Sequence, residues 1–180
     1  HICDDEGAEV ATGEVGAVYF EDPGATFEYH GDPDRTSGVH HPDHPTWRSL
    51  GDIGRVDEEG YLYLTDRRAF MIVSGGVNIY PQEVEDVLLA HPRVLDVAVF
   101  GVPDDDRGEV VKAVVQPVRW EDAGDALGTE LRAWCESRLA DYKRPRSFDF
   151  DPQLPRLDNG KLYKAQVRDR YWEGRATRVL

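Results

Sequence analysis

The spacing of apolar residues changes character near Asp66. Before it, apolar positions come in short runs broken by glycine, proline and acids. Residues 13–20 (Gly-Glu-Val-Gly-Ala-Val-Tyr-Phe) read as a turn and then a strand, which Asp22-Pro23-Gly24 ends. Residues 54–56 and 61–64, joined through Asp57-Glu58-Glu59-Gly60, predict a hairpin with a glycine-containing turn. Between these, residues 27–45 are rich in Gly, Pro, His and Asp and predict an irregular surface loop.

Beyond Asp66 the runs lengthen and two periodicities alternate. A short strand at 70–73 runs into Ser74-Gly75-Gly76, and a helix is predicted from Pro81 to about residue 90. Pro81 suits its first turn, and Glu83 and Glu85 lie where the helix dipole favours acids. Val84, Val87, Leu88 and His91 share one face of it. Strands are predicted at 94–100 and 110–118, with a loop at 103–108. A helix over 127–140 puts Leu127, Leu131, Trp134, Cys135 and Leu139 on one side. A strand at 147–150, a hairpin with Asn159-Gly160 at its tip and a helical run at 165–172 complete the pattern. The order β-α-β-β-α-β is that of a small split βαβ unit. The expected fold class is therefore α+β. A β-rich segment, 1–65, precedes a small βαββαβ-type domain, 66–180. The first segment has too little apolar surface for a core of its own, so the chain is expected to be the C-terminal part of a larger protein or to need a partner.

Composition narrows the function. The 180 residues can hold one ordinary domain or two small ones with a real core. No apolar run approaches membrane-spanning length. The N-terminal residues lack the basic flank and apolar stretch of a secretory signal. Cys3 and Cys135 are too few for a disulfide framework or a zinc knuckle, which makes a reducing cytoplasm the expected compartment. A net charge of −14 argues against nucleic-acid binding, which needs a basic footprint, but leaves room for a nucleotide in a local cationic pocket. His40, His41 and His44 are close enough to suggest a metal site, but they lie in the Pro- and Asp-rich stretch without a cysteine, so a solvated loop is expected and no metal is assigned. Cys135 fits a core position, and Asp104-Asp105-Asp106 a solvated turn.

Three separated motifs remain. The first is Leu50-Gly51-Asp52-Ile53-Gly54-Arg55, followed by Gly60-Tyr61-Leu62-Tyr63. The second runs from Asp66-Arg67 through Ser74-Gly75-Gly76 to Tyr80-Pro81-Gln82-Glu83-Val84-Glu85. The third is Leu154-Pro155-Arg156-Leu157-Asp158-Asn159-Gly160-Lys161. In this order and spacing the chain resembles the C-terminal portion of the adenylate-forming superfamily: acyl-CoA synthetases, nonribosomal adenylation domains and luciferases. The wording Ser-Gly-Gly-Val-Asn-Ile-Tyr-Pro looks most like ligases that join fatty or other medium-sized carboxylic acids to CoA.

The resemblance implies chemistry in two steps. A carboxylate is joined to ATP, with Mg, releasing pyrophosphate, and the acyl group then passes from AMP to the thiol of CoA. The first step brings two anions together and needs a fixed cation. The resemblance gives that role to Lys161. At an effective dielectric near 20, a cation about 4 Å from an anion gains roughly 4 kcal/mol. Read locally, Lys161 merely follows an Asn-Gly turn. Asp52 would accept the ribose hydroxyls, since a carboxylate offers acceptors to two donors, or else belongs to a polar turn. Arg67 would meet the ribose or phosphate edge with its planar fork, or else is a solvated residue at a domain junction. Ser74, Gly75 and Gly76 would line a pantetheine channel, where the absence of Cβ leaves room, and the same glycines suit a positive-φ turn. Lys143 and Arg144 could meet CoA phosphates but read better as a solvated basic turn.

Family members rotate the small domain between the two steps. Where the family usually has Lys or Asp at the hinge, this chain has Ala69-Phe70. Alanine cannot make the polar contacts of those residues, but rotation needs only backbone torsions, so function is expected to survive at Ala69 with the two orientations differently balanced. A catalytic relative also carries a Ser/Thr/Gly-rich phosphate loop. None occurs in these 180 residues, so the polypeptide alone is expected to lack ligase activity. Two other readings stand beside the CoA ligase: an adenylation unit that loads a carrier protein, and a non-catalytic binding module that retains the fold.

Overall fold

The computed structural model describes residues 1–24 and 28–172 and divides the chain into two units, His1–Ala69 and Phe70–Leu180. The first holds strands β1 (Ile2–Cys3), β2 (Gly16–Val18) and β3 (Phe20–Glu21), helix α1 (Pro33–Gly38), and strands β4 (Trp47–Arg48), β5 (Asp52–Val56) and β6 (Leu62–Arg67). Four of these form an antiparallel sheet in the order β1-β2-β5-β6, while β3 and β4 pair separately. The β5–β6 hairpin turns on Asp57, whose Oδ1 accepts the N–H groups of Glu59 and Tyr61 at 3.0 and 2.9 Å.

Two expectations for this unit are corrected. The stretch 27–45 is not all loop: Pro33–Gly38 is a short helix, and His40 bridges Arg48 in an isolated β-pair. Phe27 lies outside the described residues. Nor is the histidine cluster simply solvated. His41 is 3% exposed; its Nε2 is 2.8 Å from the Gly7 carbonyl, and its Nδ1 accepts the N–H groups of Asp43 and His44. Trp47 stacks with both His1 and His44. A proline-rich segment thus packs through aromatic rings rather than through aliphatic spacing. On β6, Leu62, Tyr63 and Leu64 are all exposed.

The second unit begins at Phe70, the last residue of a 3-10 turn, Arg68–Phe70. It contains β7 (Ile72–Ser74), β8 (Val77–Ile79), α2 (Pro81–Leu89), β9 (Val94–Asp104), β10 (Gly108–Pro117), α3 (Asp125–Glu136), β11 (Ser147–Phe150) and α4 (Lys164–Asp169). Strand β10 organises the sheet. It pairs antiparallel with β9 along its whole length; its other edge takes Ser74 of β7 at Gly108 and β11, in parallel, at Lys112–Val115. The expected βαββαβ order is present with one strand added: Gly75-Gly76 turn the chain into β8 instead of leading directly to the helix. Helix α3 ends at Glu136, short of the expected residue 140, although Leu139 is still buried.

Alternation along β9 explains the core. Val97 and Val99 face α2 and α3, joining Val84, Leu88, Leu127, Leu131 and Cys135 in one apolar cluster. Ala98 and Phe100 point the other way and pack with Val114, Leu154 and Val167. A strand buried on both faces reads as an unbroken apolar run, as residues 97–100 do. Burial in the first cluster raises the Cys135 thiol to about 11. Leu154 and Val167 tie the chain on either side of Lys161 to the second cluster. Among the described residues no helix is long and apolar enough to cross a membrane.

Candidate active site

In the first unit, the β5–β6 ladder sets Asp52 opposite Arg67, and Arg67 Nε lies 3.1 Å from Asp52 Oδ1. The pairing depends on a bulge. Ile53 faces Asp66 but Gly54 faces Leu64, which leaves Thr65 as the extra residue. Gly54 permits this close approach, because a Cβ there would lie 2.6 Å from the Tyr63 carbonyl. The Arg68 N–H then donates to the Gly51 carbonyl at 2.8 Å, closing the strand ends together. The Asp52 side chain is 18% exposed and that of Arg67 65%, so a half-sheltered carboxylate sits under an open guanidinium. Ala69, the expected hinge, is exposed and is the last residue of this unit.

In the second unit, Ser74, Gly75 and Gly76 form the end of β7 and a two-residue turn. Gly75 has φ +58° and Gly76 φ +80°, the pair of left-handed conformations that a type I′ hairpin requires. Ser74 is buried, while the two glycines are exposed with no atom within 4 Å of where a Cβ would stand. The Gly75 N–H donates to the Arg107 carbonyl at 2.9 Å, and the Val73 N–H to Glu109 Oε2 at 3.2 Å. A narrow strip of bare backbone results, supported from behind.

Lys161 follows the tip of a hairpin whose ladder, among the described residues, is the single Arg156–Leu162 bridge. Gly160, at φ +81°, makes the turn. The Leu157 N–H donates to the Lys161 carbonyl at 2.8 Å, and the Lys161 N–H to Asn159 Oδ1 at 3.1 Å. Of the chain's four lysines, three are committed to carboxylates: Lys112 to Asp149, Lys143 to Glu83 and Lys164 to Glu85. The Lys161 ammonium is exposed and has no partner among the described residues.

Lys143 and Arg144 are not the solvated basic turn that was expected. Lys143 Nζ donates to both oxygens of Glu83, at 2.8 and 2.6 Å. Arg144 donates to the carbonyls of Leu139 and Glu136, satisfying the end of α3. Asp105 and Asp106 lie in the exposed turn that was expected, and Asp104 Oδ1 closes it by accepting the N–H groups of Asp106 and Arg107.

Sequence reasoning missed the groups that brace the Lys161 hairpin. Lys164 Nζ lies 2.8 Å from Glu85 Oε1, with both side chains largely buried, and that same oxygen accepts the Val99 N–H at 2.8 Å. Phe70 sits beneath two cations, Lys164 Nζ at 5.2 Å and Arg168 Cζ at 5.8 Å from its ring centre. Arg156 donates to the Gly160 carbonyl at 2.7 Å and pairs with Asp96 of β9. Apart from the Arg156–Gly160 contact within the hairpin, these partners are well separated in sequence, and no local pattern signals them.

A family model described as the AMP-binding enzyme C-terminal domain matches residues 83–161. The chain is 43% identical over 165 residues to the feruloyl-CoA synthase of Amycolatopsis sp, which covers 92% of this chain and 32% of that enzyme. It is 35% identical over 178 residues to the fatty acid–[acyl-carrier-protein] ligase ScoC of Streptomyces coeruleorubidus, covering 99% of this chain and 33% of the relative. Among solved structures, ATP-bound MatB from Rhodopseudomonas palustris matches with a TM-score of 0.82 at 32% identity, over 96% of this chain and 33% of that one. The chain spans about a third of the length of these proteins.

Proposed function

The chain belongs to the AMP-binding, adenylate-forming enzyme family, and from that premise we propose that it serves as the C-terminal third of an ATP-dependent acyl-CoA ligase. In this reading residues 1–65 complete the large adenylation domain and 66–180 form the mobile C-terminal domain, with Ala69 as the hinge. The substrates are a carboxylic acid, ATP as its magnesium complex, and CoA. The rest of the adenylation domain supplies the acyl pocket and the phosphate loop, so the 180 residues alone do not catalyse the reaction. The free thiols of Cys3 and Cys135 suit a reducing, cytoplasmic setting.

One observation carries the proposal: Lys161 is the lysine left unpaired among the described residues, on a turn built to present it. Its ammonium stabilises the charge that develops as the carboxylate attacks the α-phosphate. Asp52 accepts the ribose hydroxyls. One of its oxygens is already engaged by Arg67, which fixes the carboxylate's orientation and brings the guanidinium to the nucleotide's edge. The bare backbone of Ser74, Gly75 and Gly76 lets the pantetheine arm of CoA pass without a side chain in its path. A second acceptor, a carrier protein, is favoured by the likeness to ScoC, whose name gives it that specificity.

The test uses the intact enzyme that carries these residues. Pyrophosphate release is measured across a panel of carboxylic acids, then acyl transfer to CoA and to a carrier protein. Lys161→Ala is expected to slow acyl-AMP formation by about 100- to 1,000-fold while leaving the fold intact. Full-speed adenylation by that variant would remove the basis of the proposal. Faster transfer to the carrier protein than to CoA would select the second acceptor.

A further inference from the structure

We propose that Arg156 is a positioning residue that aims Lys161, an inference that rests on the adenylation role proposed above for that lysine. The argument concerns a single peptide plane. The bond between Gly160 and Lys161 is held at both ends. Its carbonyl oxygen accepts from Arg156 Nη1 at 2.7 Å, and its N–H donates to Asn159 Oδ1 at 3.1 Å. Fixing that plane fixes the Lys161 Cα and the direction in which its side chain leaves the turn.

The second arm of Arg156 ties this plane to the sheet. Nη2 pairs with Asp96 Oδ2 on β9. Asp96 is itself oriented, because its Oδ1 accepts the Val97 N–H at 2.9 Å. Its side chain is 15% exposed, against 51% for Arg156. A guanidinium suits the task because its rigid fork can take a carbonyl with one arm and a carboxylate with the other. The hairpin needs such a brace. It has one bridge, between Arg156 and Leu162, and residues 157–161 are all exposed. Buried Leu154 anchors its root, but nothing apolar anchors its tip. Misplacing a catalytic group by about 1 Å can cost roughly 100-fold in rate.

A positioning role separates from a structural one, because exposed ion pairs contribute little to stability. In the intact enzyme, Arg156→Ala is expected to lower kcat for acyl-AMP formation by roughly 10- to 100-fold. The KM for ATP, the melting temperature and the rate of CoA acylation from supplied acyl-AMP should stay close to wild type. Arg156→Lys, which keeps a cation without the fork, should fall between the two. In a Lys161→Ala background, adding Arg156→Ala should cost nothing further, because Arg156 acts only through that lysine. Near-normal kcat in Arg156→Ala, an undiminished penalty in the double variant, or equal loss of both half-reactions would each overturn the inference. The underlying reading fails separately, through Lys161→Ala: if that variant adenylates normally, Lys161 is not the catalytic cation at all.

Discussion

The hairpin through Gly75-Gly76 and the hairpin through Gly160 both turn on positive-φ glycine, yet they are held in opposite ways. The first has a three-pair ladder between β7 and β8, and backbone groups or a neighbouring carboxylate support it from behind. It offers only main chain at its tip. The second has a single ladder bridge and is held by side chains from other elements, Arg156 to Asp96 of β9 and Lys164 to Glu85 of α2. It offers one long, charged side chain. The difference follows from what each presents. Bare backbone is already as rigid as its ladder. A lysine adds four rotatable bonds, so the backbone beneath it must be fixed from outside if the ammonium is to arrive in one place.

The largest expected effect separates two lysines of the same segment. Lys164 pairs with Glu85 where both side chains are nearly out of solvent, 11% and 7% exposed. Lys164→Ala would leave that carboxylate in place without its ammonium, at a cost of about 3–5 kcal/mol. Urea unfolding of the intact enzyme, followed by a probe in the second unit, measures it. Lys161→Ala should change stability by no more than about 0.5 kcal/mol, since its side chain is exposed and has no partner among the described residues. If both substitutions destabilise equally, the contrast between a bracing and a presented lysine is wrong.

The next effect probes the other hairpin. Gly76→Val imposes a β-branched residue on φ +80°, where space is open but the conformation is unfavourable, at a cost of about 1–2 kcal/mol. If that turn serves the thiol step as proposed, acylation of CoA from supplied acyl-AMP should fall while pyrophosphate release is largely kept. Equal loss in both steps would mean that the turn only supports the fold.

How far this arrangement could be read in advance depends on the range of each interaction. Helices α2 and α3 follow from apolar spacing, because Val84 and Leu88, and Leu127 and Leu131, recur on one face and meet one cluster. Strand β9 follows from its unbroken Val-Ala-Val-Phe run. Strand β8 was hidden because three residues between a glycine pair and Tyr80-Pro81 are too few to show alternation. The two-residue strands β1 and β4 were hidden for the same reason, while β3 was read as the end of the strand at 13–20. Asp52 and Arg67 are legible as parts of motifs. Their pairing is not, because a bulge at Thr65 sets the register. The Arg156–Asp96 brace spans 60 residues of sequence and exists only once the sheet has formed.

The smallest effect concerns how the segment after Lys161 stays down. Tyr171 donates to Asp149 Oδ2 at 2.7 Å, and Lys112 Nζ lies 3.0 Å from the same oxygen and 4.7 Å from the Tyr171 ring centre. Burial works to raise the Asp149 carboxyl, but the hydrogen bonds from Tyr171 and Lys112 outweigh it and hold the group below its ordinary value of 3.8. Burial, reinforced by the Asp149 hydrogen bond, pushes the Tyr171 hydroxyl well above its ordinary 10.0. The signs differ. Asp149 contributes stability above its unfolded value, and loses it as pH falls through the lower folded one. Tyr171 contributes stability that is complete below pH 10.0 and lost as pH rises from there towards its folded value, because only the unfolded chain then ionises. Urea midpoints for wild type and Tyr171→Phe should therefore differ most near neutral pH, and the gap should narrow at about pH 10.5. The other tyrosines affect both proteins alike and cancel in the comparison. A gap of constant size across that window would mean that the Tyr171 hydroxyl does not link the segment after α4 to the sheet, and that the Lys161 hairpin is braced from the Glu85 and Asp96 sides alone.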